Sequence, residues 1–206
     1  MSIYFDIETG PDANALEFAD VPQAPANYKD PAKIAEYVAE KRKEQVKSAA
    51  LSPLTGKVLV IGLLVDDSRE PRYFEGNEAD LLADFWLYYN ETRQRGESQE
   101  WVGFNCKSFD WPFLAKRSLK HGIRPPRLFT DRQYMLDHLR DLRDAWQMGD
   151  RQAPGSLGVI CKWLGLGEKS GDGGQFAELY AADRQKAMAY LCNDLLLTRK
   201  LAKVLL

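Results

Sequence analysis

The sequence predicts one α/β domain built as a mixed sheet flanked by helices, and three observations carry that expectation. The opening run Ile3-Tyr4-Phe5-Asp6-Ile7-Glu8-Thr9 is β-branched and aromatic, the composition of a strand. Val58 to Val65 is an eight-residue apolar run, long enough for a buried strand and far too short for a membrane span. Beyond it, segments with apolar residues at helical spacing alternate with further short strands. A chain of 206 residues with 45% apolar content is large enough to bury a proper core.

The elements follow in order. A strand over 3–8 gives way to a polar excursion reaching about residue 30. Asp30 and Pro31 then signal a helix start, as N-cap and first-turn proline. That helix carries a thin apolar stripe of Ile34, Tyr37, Val38 and Val46, and residues 27–50 read as a helical insertion between the first two strands. The strand at 58–65 is followed by another near Arg72–Phe74. Leu81, Leu82, Phe85 and Trp86 mark a helix over about 78–90. A strand over 101–105 leads into a helix from about 110 to 120, and 133–146 also reads as helical. After Gly155 a helix spans 156–164, the glycine-rich stretch 165–174 is a loop, and a last helix runs from about 183 to 204. No internal repeat or Pro/Ser linker divides the chain, so residues 1–206 are expected to form a single domain.

Composition narrows the function classes. A net charge of −2 gives no global attraction to nucleic acid, so any phosphate binding must be local or assisted by cations. Cys106, Cys161 and Cys192 are odd in number and widely spaced, which fits neither a disulfide framework nor a zinc cluster. Together with an acidic rather than basic N-terminus, this points to a cytoplasmic protein without a signal peptide or membrane anchor. Gly165 to Gly171 lacks the glycine-lysine spacing of a phosphate loop.

Three motifs carry chemistry. Asp6 and Glu8 alternate with apolar residues on one strand, so both point to the same face, roughly 7 Å apart at Cα. Two anions so placed repel unless a cation or proton neutralises them. Asp-x-Glu is common by chance, yet this is the only one in the chain. In the last helix Tyr190 stands one turn before Asp194, the only tyrosine four residues ahead of an aspartate, beside the core stripe of Ala187, Leu191 and Leu195. Between them, Asn105 to Asp110 spans a strand-to-helix junction, where an aspartate would ordinarily cap the helix.

In order and spread, Asp6-x-Glu8, Asn105-x-x-x-Phe109-Asp110 and Tyr190-x-x-x-Asp194 resemble the DEDD superfamily of 3′→5′ exonucleases over nearly the whole chain. The tyrosine in the third motif resembles the DEDDy branch; neither His121 nor His138 precedes an aspartate at four or five residues. Ser156-Leu157-Gly158, Lys169 and Asp172-Gly173 look like stand-alone exonucleases related to the proofreading domain of family B DNA polymerases. The resemblance implies a ribonuclease-H-like fold and hydrolysis of phosphodiester bonds from a 3′ end, releasing nucleoside 5′-monophosphates. It implies two divalent cations, Mg²⁺ or Mn²⁺, matching the hard oxygen donors present. Asp6, Glu8 and Asp194 would hold the first ion, with Asp6 bridging to a second that Asp110 serves through water. Tyr190, a poor base at neutral pH, would orient the attacking water.

Substrate contacts are expected from Thr9, Asn105, Phe109 and Trp111, with Phe104 a further candidate for stacking on bases. Single-stranded DNA is the expected substrate, and RNA the alternative, as in exoribonucleases resembling ribonuclease D. A catalytically inactive nucleic-acid-binding module is the reading from another class, and the intact carboxylates and tyrosine argue against it. Lys41, Arg42, Lys43 and Lys47 interleave with Glu36, Glu40 and Glu44, an ordinary solvated face unless the insertion guides the strand's backbone. No polymerase segment is legible within these residues, so proofreading is expected to involve a replication or repair partner in trans.

Overall fold

The structure, a computed structural model, describes residues 1–66, 68–94, 99–126 and 138–206. The chain divides into two compact units, one of residues 1–8 with 58–206 and the other of residues 9–57.

Among the described residues, five strands form one sheet: β1 (Ser2–Pro11), β2 (Gly56–Val65), β3 (Arg72–Glu75), β4 (Glu100–Gly103) and β5 (Leu139–Asp141). Their order is β3-β2-β1-β4-β5. β1 pairs with β4 in parallel, Ser2 to Tyr4 against Glu100 to Val102, and β4 pairs with β5 in parallel. β3 runs antiparallel to β2. Where β1 meets β2, Asp66 donates its N–H to the Ser2 carbonyl (2.8 Å) and Asp12 to the Thr55 carbonyl (2.9 Å), the crossed ends of an antiparallel pair.

The pleat of β1 sorts its side chains into two cores. Ile3, Phe5 and Ile7 face α2 (Glu78–Gln94) and α3 (Asp110–Lys120), joining Leu82, Phe85, Trp86 and Leu114. Phe5 meets Trp101 and Trp111 edge to ring at 5.8 and 5.7 Å, the geometry aromatic pairs prefer. Tyr4 faces the other way, into a core shared with α5 (Leu157–Trp163), α6 (Phe176–Ala182) and α7 (Arg184–Leu205). α7 packs closely over β2 because Gly62 has no side chain; a Cβ there would lie 3.0–3.1 Å from Leu191 and Leu195. Asp183 caps α7 by accepting from the Lys186 N–H, and Ser156 caps α5 through Val159.

In the second unit α1 (Pro31–Ser48) begins as expected, with Asp30 accepting from the Ala32 N–H at 2.9 Å. None of its residues is buried. Ile34, Tyr37 and Val38 are half-buried, Val46 is exposed, and Lys41 pairs with Glu44 at 2.6 Å, so the charged run is a solvated surface. The unit takes in more than the expected insertion at 27–50.

The structure corrects three expectations. β4 stops at Gly103, and Asn105 lies in the following turn with φ of +61°, a conformation asparagine tolerates better than most residues. The helix expected over 133–146 is instead β5 followed by the short α4 (Leu142–Gln147); residues 133–137 lie outside the described residues. Leu139, Leu142 and Trp146 have helical spacing, but pairing with β4 captures Leu139–Asp141 as a strand. α6 forms in a stretch for which no helix was expected. Cys106, Cys161 and Cys192 are free thiols, and no helix among the described residues is long and apolar enough to cross a membrane.

A buried ion cluster ties α2, α3 and β2 together. Glu78 accepts from Arg117 (Nε at 2.8 Å, Nη2 at 2.5 Å), from His121 at 2.7 Å and from the Val58 N–H at 2.7 Å. Burial pushes the Glu78 pKa up, but these hydrogen bonds outweigh it and leave the group below its ordinary value. Arg117 is almost wholly buried, so removing it strands a buried carboxylate. Arg117→Met is expected to cost about 3 kcal/mol in urea unfolding at pH 7. Because the folded pKa of Glu78 is depressed, its contribution is present above the unfolded value and fades as pH falls through the folded one. The gap between variant and wild type should therefore narrow below about pH 4; a gap constant from pH 7 to pH 3 would show that the ion pair does not carry it.

Candidate active site

Four carboxylates gather on the Tyr4 side of β1. The alternation that buries Ile3, Phe5 and Ile7 in one core turns Asp6 and Glu8 to the opposite face, beneath α7. One turn separates Tyr190 from Asp194 on that helix, and both are buried. Asp6, Glu8 and Asp194 each offer an oxygen within 4.8 Å of the others, the spread a single cation spans.

Asp110 reaches the same strand from the first turn of α3. It does not cap the helix; Phe109 holds the cap position and makes no side-chain cap bond. Its Oδ1 instead accepts the Ile7 N–H at 3.2 Å, between Asp6 and Glu8. The ordinary role of an aspartate at a helix start is thus replaced by a tertiary contact with β1.

Lys169 is the one cation bonded to this cluster among the described residues, and its place was not foreseen. Its Nζ lies 2.6 Å from Asp194 Oδ2 and donates to the Tyr190 hydroxyl at 3.0 Å. It sits in the glycine-rich stretch read as a loop, 21 residues before Tyr190, and no periodicity links positions so placed. Asp141 is a second unforeseen residue. At the end of β5 it accepts N–H groups of Asn105 (2.8 Å), Lys107 (2.9 Å) and Arg143 (2.9 Å), and so shapes the turn that presents Asp110.

One ammonium does not neutralise three buried carboxylates and the half-buried Asp6 beside them. Burial, reinforced by the charge of Asp194, pushes Asp6 up to about 7. Burial and then the charges of Asp6 and Asp194 raise Glu8; burial and then Asp6 raise Asp110. Burial also raises Asp194, against the opposing pull of Lys169. For Lys169 burial favours the neutral form, but Asp194 and Tyr190 outweigh it and hold the ammonium charged. Tyr190 is raised by burial above the ordinary phenol range and stays protonated at neutral pH.

The donor set fits a divalent cation. Asp194 Oδ1 is buried and has no hydrogen-bond partner, a costly state for a carboxylate oxygen unless a cation completes it. With Asp6 and Glu8 it makes an all-oxygen, carboxylate-rich site of the kind hard cations take.

The residues expected to touch substrate fare differently. Asn105 is half-buried in the turn before Asp110, and its carbonyl accepts from Ser108 and Phe109. Phe109 is half-buried and packs on Phe113 with ring centroids 5.5 Å apart. Phe104 is half-buried against the α7-side core. Trp111 is a correction: it is 2% exposed and ringed by Phe5, Phe85, Trp86, Tyr89 and Trp101, with no face left for a base. Thr9 lies in the second unit, where its hydroxyl donates to the Ala50 carbonyl at 2.7 Å.

The mixed five-stranded sheet flanked by helices is a ribonuclease-H-like fold. Residues 55–199 match the family described as predicted 3′–5′ exonucleases related to the exonuclease domain of PolB, and the chain belongs to that family. The match takes in Asp110, Lys169, Tyr190 and Asp194 and begins after Asp6 and Glu8. An uncharacterised protein of Methanocaldococcus jannaschii is 27% identical over 170 residues, covering 78% of this chain and 92% of its own. The fold is similar to that of the family B DNA polymerase of the archaeon Pyrobaculum calidifontis, with a TM-score of 0.65 at 18% identity. That similarity covers 99% of this chain, which spans only 24% of the polymerase.

The raised carboxylates give a stability prediction with a definite sign. A carboxylate whose folded pKa exceeds its unfolded value keeps a proton that the unfolded chain loses, so stability falls as pH rises from the unfolded value to the folded one. For Asp6 that window runs from about 4 to about 7. Cation-free protein should lose stability across it, and Asp6→Asn should raise the melting temperature at pH 7 but not at pH 4. Millimolar Mn²⁺ should stabilise the wild type and leave the variant nearly unmoved. Equal melting temperatures for the two proteins at pH 7 without cation would contradict this electrostatic account.

Proposed function

We propose that this chain removes nucleotides one at a time from the 3′ end of single-stranded DNA, in a reaction that requires divalent cations and releases nucleoside 5′-monophosphates. The observation that carries the reading is the convergence of Asp6, Glu8 and Asp194 within 4.8 Å, with Asp194 Oδ1 buried and unpartnered. Asp6, Glu8 and Asp194 would hold one Mg²⁺ or Mn²⁺, and Asp110, beside Asp6, would serve a second. When bound, such ions acidify the attacking water and neutralise charge on the scissile phosphate and the leaving 3′ oxygen.

The chain's own groups supply orientation. Tyr190 accepts from Lys169 and its hydroxyl is hydrogen-bonded to Asp194, so the phenol oxygen is held between the ammonium and a proposed cation ligand. Since the phenol stays protonated at neutral pH, Tyr190 positions the nucleophile rather than deprotonating it. Lys169 holds both Tyr190 and Asp194, so the position of the phenol is linked to that of a carboxylate. Phe109 and Asn105, partly accessible in the turn before Asp110, are the residues we assign to the terminal nucleotide. In this reading the protein works in the cytoplasm, alone or beside a replication or repair protein.

The test is digestion of 5′-labelled single- and double-stranded DNA and RNA with Mg²⁺ or Mn²⁺. A stepwise ladder on single-stranded DNA that vanishes with chelator, and in Asp6→Ala and Asp194→Ala, is the expected result. Activity that survives in both variants would refute the assignment, and a ladder confined to RNA would replace the substrate. Tyr190→Phe should lower kcat by roughly 10- to 1,000-fold while leaving cation affinity measured by calorimetry nearly unchanged.

A further inference from the structure

A run of glycines closes on the tyrosine at the centre of the proposed reaction. Ser170-Gly171-Asp172-Gly173-Gly174 passes alongside Tyr190 before α6 begins. A Cβ added at Gly171 would lie 3.1 Å from Tyr190 Cδ2 and 3.4 Å from Cε2; one at Gly173 would lie 3.3 Å from the Tyr190 hydroxyl oxygen. Neither glycine has the positive φ that favours glycine for its backbone freedom. Conformation alone therefore admits alanine at both positions, and the neighbour that a side chain would crowd is Tyr190. The adjacent Gly174 supplies the contrast: a Cβ there would meet only the Asp172 carboxylate, at 3.5 Å or more, an ordinary contact.

The phenol is held from other directions as well. Lys169 donates to its hydroxyl at 3.0 Å, and the Phe176 ring lies 6.1 Å away, centroid to centroid. A cavity of about 450 Å³, lined by Ser170, Gly171, Asp172, Phe176, Lys186 and Tyr190, opens along the loop side.

We propose that Gly171 and Gly173 are positioning residues whose missing side chains let the loop clamp Tyr190 and set where its hydroxyl points. The proposal rests on the reading of Tyr190 as the group that orients the nucleophile. A methyl group at either position would shift the phenol by a few tenths of an ångström, which reaction geometry registers in kcat before KM or stability.

Gly171→Ala, Gly173→Ala and Gly174→Ala, each in wild-type and Tyr190→Phe backgrounds, test it in the full chain. Three readouts are needed: kcat and KM on a 5′-labelled single strand, the unfolding midpoint, and the ¹⁹F shift of fluorotyrosine placed at position 190. Gly173→Ala is expected to lower kcat on the order of 10-fold, with KM and midpoint unchanged, to move the ¹⁹F signal, and to have no effect on kcat once Tyr190→Phe has removed the hydroxyl it crowds. Gly171→Ala should lower kcat likewise, and Gly174→Ala should change nothing. An equal loss from Gly173→Ala in both backgrounds, or an unmoved ¹⁹F signal, would overturn the clamp. Should the wild type prove inactive, the functional reading fails, while the ¹⁹F shift still decides the clamp.

Discussion

Burying several carboxylates side by side is the constraint around which this molecule is arranged. Glu8, Asp110 and Asp194 are buried and Asp6 half-buried in a region served, among the described residues, by the one ammonium of Lys169. Like charges so placed shift one another toward the protonated form, and Asp6 accordingly rises to about 7. Such a cluster subtracts from stability at neutral pH, so the remaining structure must offset it. The offset is visible in the aromatic core on the far side of β1, where Phe5, Phe85, Trp86, Tyr89, Trp101 and Trp111 meet edge to ring. Full burial of one large apolar side chain contributes about 1.5–3 kcal/mol, and each edge-to-ring contact adds to that.

β1 links the two sides. Its odd-numbered residues bind the sheet to α2 and α3, and its even-numbered residues carry the carboxylates to α7. A one-residue slip of this strand would move the carboxylates into the aromatic core, so the packing that stabilises the fold also fixes the register of the site. α7 closes from above, with Gly62 allowing Leu191 and Leu195 to approach β2 closely enough to bring Asp194 into the cluster.

The parts of this design that were legible in the sequence are those governed by short periods. Alternation over two residues placed Asp6 and Glu8 on one face, and spacing over four placed Tyr190 above Asp194. Asp30 as a cap was equally local, and the structure agrees. What escaped depends on partners far along the chain. Leu139–Asp141 is a strand because β4 lies beside it, and three residues hold too little pattern to announce that. An aspartate at the start of a helix ordinarily caps it, but Asp110, expected as a cation ligand, bonds Ile7, 103 residues away. Trp111 was assigned to substrate as an aromatic beside the second motif, whereas burial decides that its ring belongs to the core.

Lys169 shows the same limit most clearly and has the largest chemical consequence. The resemblance takes in Lys169 but gives it no role, yet its ammonium bonds the phenol of Tyr190 and the carboxylate of Asp194 together. Two of the glycines that follow this lysine, Gly171 and Gly173, lie against Tyr190, so part of what reads as permissive sequence is a fitted surface. The single positive charge falls short of balancing Asp6, Glu8, Asp110 and Asp194, and Asp194 Oδ1 keeps no partner at all. Charge balance and hydrogen bonding thus express one need of this carboxylate set. A group that filled it would have to bring positive charge and accept oxygen donors, which is the description of a hard divalent cation.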